Sequence, residues 1–210
     1  GSPMLTLHTA PGSCSRASHI ALEEAGLDYQ ARYVDFARGD QRQPEFLAIN
    51  PKGRVPALVT DRGVLTEGPA ILAYVAALAP EARLAPTDAF DFARMQAFNL
   101  YLATTIHVAH AHGRRAARWS DDPAAQASMA AKVSENMSAG FDLIEAGLDG
   151  EWVMGDAYSV ADPYLFVFSG WLAGDGVDIA RFPKVADHFQ RMARRPAVQR
   201  VLAWEAARAD

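Results

Sequence analysis

Strand signals stop at Pro80. Up to that point short apolar and polar alternations trade places with helical windows. Beyond the proline-bounded segment Pro80-Glu81-Ala82-Arg83-Leu84-Ala85-Pro86, only helical periodicity remains. Met4 to His8 alternate as a strand does, Pro11-Gly12 breaks the chain, and Ala17, Ile20, Ala21 and Ala25 recur at helical spacing until Gly26 stops them. Tyr29 to Asp35, aromatic and β-branched, reads as a second strand. A short helical piece covers Pro44 to Ala48. Val55 to Val59 and Gly63 to Leu65 flank a turn at Asp61-Arg62 as a β-hairpin, and Pro69 opens a helix that runs to about Leu78.

The order β-α-β-α-β-β-α predicts an α/β thioredoxin-like N-terminal domain, two parallel strands meeting an antiparallel hairpin, over residues 4–80. A linker follows at 81–87. An all-α C-terminal domain is expected over 88–210, with helices at 88–118, 123–147, 160–173, 183–194 and 196–207. Gly1-Ser2-Pro3 reads as a cloning remnant ahead of a natural start at Met4.

Composition narrows the function. A chain of 210 residues, 50% hydrophobic, buries a core without staples, and its one cysteine, Cys14, excludes an intramolecular disulfide. Charge is mild at -5, from 20 basic and 25 acidic residues spread along the chain, which argues against a nucleic-acid stripe or a polybasic membrane anchor. No apolar run reaches the length of about 20 residues that spans a bilayer, and no signal pattern opens the chain. The expectation is a reducing, cytoplasmic location and a small-molecule partner. His107, His110 and His112 cluster without a carboxylate near enough in sequence to complete a metal site, so no metal is expected. Arg114, Arg115 and Arg118 read most simply as a solvated complement to a helix C-terminus.

Three short segments carry chemistry. In Pro11-Gly12-Ser13-Cys14-Ser15-Arg16 the only thiol stands at a helix start, where free N–H groups and the dipole favour an anion. A pKa lowered to about 6.5 would make it mostly thiolate. Val55-Pro56 enters a strand, where a cis bond would free the backbone of Val55 to pair with an extended peptide. In Thr66-Glu67-Gly68-Pro69 a carboxylate that can accept an ammonium lies beside a helix start that can hold a carboxylate, the two charges of an amino-acid head group.

The runs Pro11 to Ser15, Asn50 to Leu58 and Leu65 to Ile71 resemble the P-G-x-C-S, N-P-x-G-x-V-P-A-L and L-T-E-[SG]-x-A-I motifs of cytosolic glutathione transferases, most closely the bacterial beta class. Asn99 to His107 is similar to that class's active-site helix, and Ser159-Val160-Ala161-Asp162 to the family's capping box. The resemblance spans nearly the whole chain. It implies glutathione as co-substrate, a small hydrophobic electrophile as second substrate, and a homodimer.

By the same resemblance, Val55 and Pro56 take the cysteinyl backbone of glutathione, Glu67 and Gly68 its γ-glutamyl end, and Cys14 faces its sulfur, with Arg38 the basic residue of the loop after the second strand. Thr104 and His107 close the site from the helical domain. Ser13 and Ser15, with the backbone around them, are the candidate donors to the thiolate. The implied activity is conjugation, with glutathione-dependent disulfide reduction through Cys14 beside it. A serine-type or zeta-like isomerase and a non-catalytic glutathione-binding protein are the alternatives. Cys-x-x-Cys chemistry is excluded, because position 17 is Ala17.

Overall fold

The computed structural model describes residues 4–208; the remnant assigned to Gly1-Ser2-Pro3 lies outside them. Strand β1 (Leu5–Thr9) leads through the cysteine loop into α1 (Ser15–Ala25). Gly26 ends that helix in the left-handed region at φ 67°, its amide bonded back into the last turn. Strand β2 (Gln30–Tyr33), a short helix α2 (Pro44–Leu47), the hairpin β3 (Ala57–Thr60) and β4 (Gly63–Thr66), and helix α3 (Gly68–Leu78) complete the first half.

The sheet order is β2-β1-β3-β4, with β1 parallel to β2 and antiparallel to β3. This is the thioredoxin-like arrangement expected from the element order. Its apolar face carries Leu5, Leu7 and Leu58, all buried under α1 and α3 through Ala21, Leu22, Ile71 and Leu72.

Helices make up the second half: α4 (Ala89–Tyr101), α5 (His107–Arg114), α6 (Pro123–Ala131), α7 (Val133–Gly147), α8 (Ala161–Trp171), α9 (Pro183–Ala193) and α10 (Pro196–Ala206). Two expected continuous helices are interrupted. The 88–118 helix passes through a π-helical turn at Leu102–Ile106, where the His107 amide reaches back five residues to the Leu102 carbonyl, and a 3-10 turn follows at Ala116–Arg118. The 123–147 helix is divided at Lys132.

Helix α1 packs on both α8 and α10, and one buried cluster runs from Leu22, Leu58 and Ile71 through Met95, Ile106 and Phe141 to Leu165 and Phe168. The connecting segment is pinned as well: Leu84 is buried and its carbonyl accepts from the Val160 amide at 2.8 Å.

At the start of α8 the expected cap differs in detail. Ser159 Oγ accepts from the Ala161 amide at 3.2 Å, one residue earlier than expected, because α8 begins at Ala161. Asp162 does reach back, its Oδ2 accepting from the Ser159 amide at 2.9 Å, but its Oδ1 also accepts from the Val153 amide at 2.8 Å and His188 Nε2 at 2.9 Å. A cap has become a buried four-residue junction.

Candidate active site

The cysteine loop is held from inside and outside. Ser15 is fully buried; its Oγ bonds to Thr9 Oγ1 at 2.7 Å and accepts from the Ala10 amide at 3.0 Å, which fastens the start of α1 to the end of β1. Ser13 Oγ donates to the Ala10 carbonyl at 2.8 Å and stays on the cleft wall. From the helical half, Trp171 Nε1 donates to the Gly12 carbonyl at 2.9 Å, and Glu205 Oε1 accepts from the Gly12 amide at 2.8 Å. Rigid scaffolding of this kind fixes where the thiol points.

Cys14 caps the N-terminus of α1 as expected, but its thiol is not activated there. Desolvation outweighs the favourable backbone hydrogen bond, and nearby Glu67 adds to it, so the pKa is pushed up to about 12. Cys14 is half-buried and donates its S–H to the Val55 carbonyl at 3.6 Å. The expectation of a lowered pKa is thus corrected: a thiol, not a thiolate, stands at position 14.

Val55-Pro56 is cis. The loop before it is tied by Asn50, whose Nδ2 donates to the Arg54 carbonyl at 2.8 Å while its Oδ1 accepts from the Lys52 amide at 3.1 Å. Gly53 adopts φ +65° with the Gln41 carbonyl 3.2 Å from where a Cβ would stand, so no larger residue fits without displacement. Val55 lines the cleft, and Pro56 is buried behind it.

Glu67 sits in a conformation unusual for a side-chain-bearing residue, φ 74° and ψ 120°, at the cap of α3. Such strain is concentrated at ligand sites. Its exposed carboxylate pairs with Lys52 Nζ at 2.6 Å, an ammonium in the place where a ligand's ammonium would compete. Gly68 follows, with the Tyr164 hydroxyl 3.2 Å from its absent Cβ. Burial, then Cys14 and Glu67, push the Tyr164 hydroxyl up, so it remains a donor.

A cleft of about 560 Å³ opens beside the thiol, lined by Ser13, Cys14 and Val55 from the first half and by His107, His110 and Trp171 from the second. His107 stands edge-on to Phe168 and Trp171. Burial, with help from His110 and nearby arginines, lowers its pKa to about 4, which makes it a neutral imidazole at ordinary pH. His110 stacks on Trp171 at 4.1 Å between ring centres and donates from Nδ1 to Asp175 Oδ2 at 2.6 Å.

Of the expected residues, Ser13, Cys14, Val55 and His107 line this cleft; Pro56, Glu67 and Gly68 are not part of its lining, and neither are Ser15, Arg38 and Thr104. Ser15 is spent inside the loop. Arg38 is exposed, with only a 3.9 Å approach to Asp40, because its loop turns outward, and Arg54 lines the cleft instead. Thr104 is exposed and donates to the Leu100 carbonyl at 2.8 Å; its neighbour Ala103 faces the cleft. Asp175 and Trp171 were missed by the sequence reading, and His110 was weighed there only as a metal ligand, since Asp175 meets His110 only through the fold. Among the described residues, no three His, Cys, Asp or Glu side chains converge as metal ligands.

Comparison with known proteins gives two family matches, the glutathione S-transferase N-terminal domain over residues 3–77 and the glutathione S-transferase C-terminal domain over residues 95–196. The chain is 33% identical to glutathione S-transferase GstA of Escherichia coli O157:H7, over 96% of this chain and 98% of that one. Among solved structures, a glutathione transferase homologue from Sulfitobacter with bound glutathione superimposes with a TM-score of 0.93 at 49% identity, covering 96% of this chain and 98% of that one. The beta class glutathione S-transferase of Sphingomonas chungbukensis does so at 0.83 and 36%, covering 95% and 98%.

Proposed function

Because the chain belongs to the glutathione S-transferase family, we propose that it conjugates glutathione to small electrophiles as a cytoplasmic homodimer, with Cys14, Val55, Glu67 and Gly68 holding the tripeptide. One observation carries the reading: a cysteine thiol, the Val55 backbone and a neutral histidine share a single cleft beside the strained Glu67. The two charges of an amino-acid head group find partners there, the ammonium at the Glu67 carboxylate and the carboxylate at the free amides that open α3, with the Tyr164 hydroxyl alongside. Glutathione bound in this way supplies the nucleophilic sulfur.

The chain's own part is to stabilise negative charge on that sulfur. Cys14, kept protonated by burial, turns its S–H from the Val55 carbonyl to that sulfur rather than competing as a nucleophile, while Ser13, its hydroxyl given to the Ala10 carbonyl, steadies the loop. Each pKa unit taken off a bound thiol corresponds to about 1.4 kcal/mol. Disulfide exchange through Cys14 is the second reading, favoured by the thiol's place on the cleft wall. It requires the thiolate, which the raised pKa disfavours.

No described helix is long and apolar enough to cross a membrane. The apolar side chains of Phe90, Leu100 and Leu143 are exposed and would suit cover by a second copy, a state that light scattering reads directly.

The deciding assay compares native protein with Cys14→Ala and Cys14→Ser, using a neutral aryl halide and a glutathione mixed disulfide. Conjugation reduced by Cys14→Ala but largely kept by Cys14→Ser supports a donor thiol. Loss of disulfide reduction in both variants with conjugation untouched makes Cys14 a redox group instead.

A further inference from the structure

Arg54, Arg114, Arg115 and Arg118 all line the cleft, whereas its carboxylate, Asp175, is occupied by His110. None of these four forms an ion pair among the described residues, a condition they share with Arg32, Arg62 and Arg83 among others; what sets them apart is that they stand together around one cleft. In a chain of net charge -5, such a gathering is not a by-product of composition. The groups also feel one another: burial first, then Arg54 and Arg115, lower the pKa of Arg118. A concave surface lined by one sign focuses its field on whatever enters.

Glutathione accounts for part of this charge at most. Its γ-glutamyl carboxylate is assigned to the start of α3, and its second carboxylate needs one arginine, for which Arg54 beside Val55 suffices. Arg114, Arg115 and Arg118 remain, all on the helical wall where α5 ends and the 3-10 turn begins. Phe36, Trp119 and Trp171 line the same space and offer flat apolar faces. Guanidinium forks match carboxylates in bidentate geometry.

We propose that the second substrate of this cleft is an anion, an aromatic or unsaturated electrophile carrying a carboxylate, held by Arg115 and Arg118. The inference rests on the glutathione reading for the reaction but not for the binding. It narrows the small hydrophobic electrophile implied by family resemblance to one that carries an acidic group.

Trp119 and Trp171 supply the signal. The full chain is titrated by fluorescence with dinitrobenzoate and with uncharged dinitrobenzene, at low and raised salt, with and without glutathione. Glutathione binding is measured separately by calorimetry. The native protein is expected to bind the carboxylate at least about tenfold more tightly than its neutral partner. Raised salt and the variants Arg118→Gln and Arg115→Gln/Arg118→Gln should each shrink that preference several-fold and leave dinitrobenzene affinity in place. Arg118→Gln serves alone if the double variant misfolds, since the Arg115 guanidinium lies 5.5 Å over the Phe36 ring.

Equal affinities in the native protein, or a preference that survives both variants, overturns the proposal. A charge preference in a protein that binds no glutathione sustains it and overturns the family-based function instead.

Discussion

Glu205, near the end of the last helix, grips Arg16 across 189 residues of chain: Arg16 Nη2 donates to its Oε1 at 2.7 Å, while the same oxygen accepts from the Gly12 amide. The carboxylate is almost fully buried, so it is the far end of the chain that fixes the loop bearing Cys14. Replacing Glu205 by alanine leaves a guanidinium and an amide without their acceptor, which should cost about 3 kcal/mol in a denaturant titration. The apparent KM for glutathione should rise, because the loop loses its outer anchor. Glu205→Gln keeps one acceptor and should lose less of both. A variant with native stability and native KM would show that Trp171 and Ser15 hold the loop unaided.

Asp162 carries a larger load than its capping motif suggests. From sequence, alanine there is worth on the order of 1 kcal/mol, the usual value of a cap. In the fold its buried carboxylate accepts from Ser159 and His188, both away from solvent, and from the part-buried Val153 amide. Each buried donor left unpaired costs about 1–3 kcal/mol, so Asp162→Ala should lose at least about 3 kcal/mol and Ser159→Ala only about 1. Urea unfolding of both variants checks the ratio. Equal losses would mean that water replaces the missing acceptor.

The contrast between these two residues marks what the sequence discloses. Ser159 and Asp162 are three apart, and a local spacing announces a local hydrogen bond; Val153 joins them from the loop before α8, and His188 only when α9 lies against α8. The thioredoxin-like half was legible for the same reason, since strand alternation and Gly26 act within a few residues. The π-turn at Leu102–Ile106 was not, because one extra residue in a turn leaves apolar periodicity nearly intact. Cys14 was found by its position at a helix start. The sign of its pKa shift depends on burial beneath neighbours distant in sequence, and there position misled. Arg38 was the basic residue the sequence offered, and the outward turn of its loop, with Arg54 on the cleft wall, could be seen only in the fold.

His107 gives a dependence on pH whose direction is fixed. Burial holds its folded pKa at about 4, whereas an unfolded histidine titrates near its ordinary value of 6.5. As pH falls from about 6.5 toward 4, the unfolded chain takes up a proton that the folded one refuses, so stability is lost across that window and no further below it. At pH 4.5 the group accounts for about 2 kcal/mol of loss relative to pH 7. His8 and His19, also lowered by burial, contribute in the same direction. His107→Gln should therefore show a smaller stability difference between pH 7 and pH 4.5 than the native protein. An unchanged difference would place the titrating histidines elsewhere.

Gly68 and Tyr164 form the last testable pair. A methyl group at position 68 would stand 3.2 Å from the Tyr164 hydroxyl, closer than ordinary packing allows, and Tyr164 is itself too buried to swing aside. Gly68→Ala should lower stability by about 1 kcal/mol despite alanine's better helix propensity. In a Tyr164→Phe background the hydroxyl is gone, so the same substitution should be nearly neutral, and a double-mutant cycle should return a coupling of about 1 kcal/mol. Glutathione affinity separates packing from binding: if the hydroxyl also donates to the ligand, Tyr164→Phe weakens binding several-fold at unchanged fold stability. Coupling near zero would mean that α3 and α8 shift apart to admit the methyl group, and the glycine would then owe its place to chain entry into α3 rather than to Tyr164.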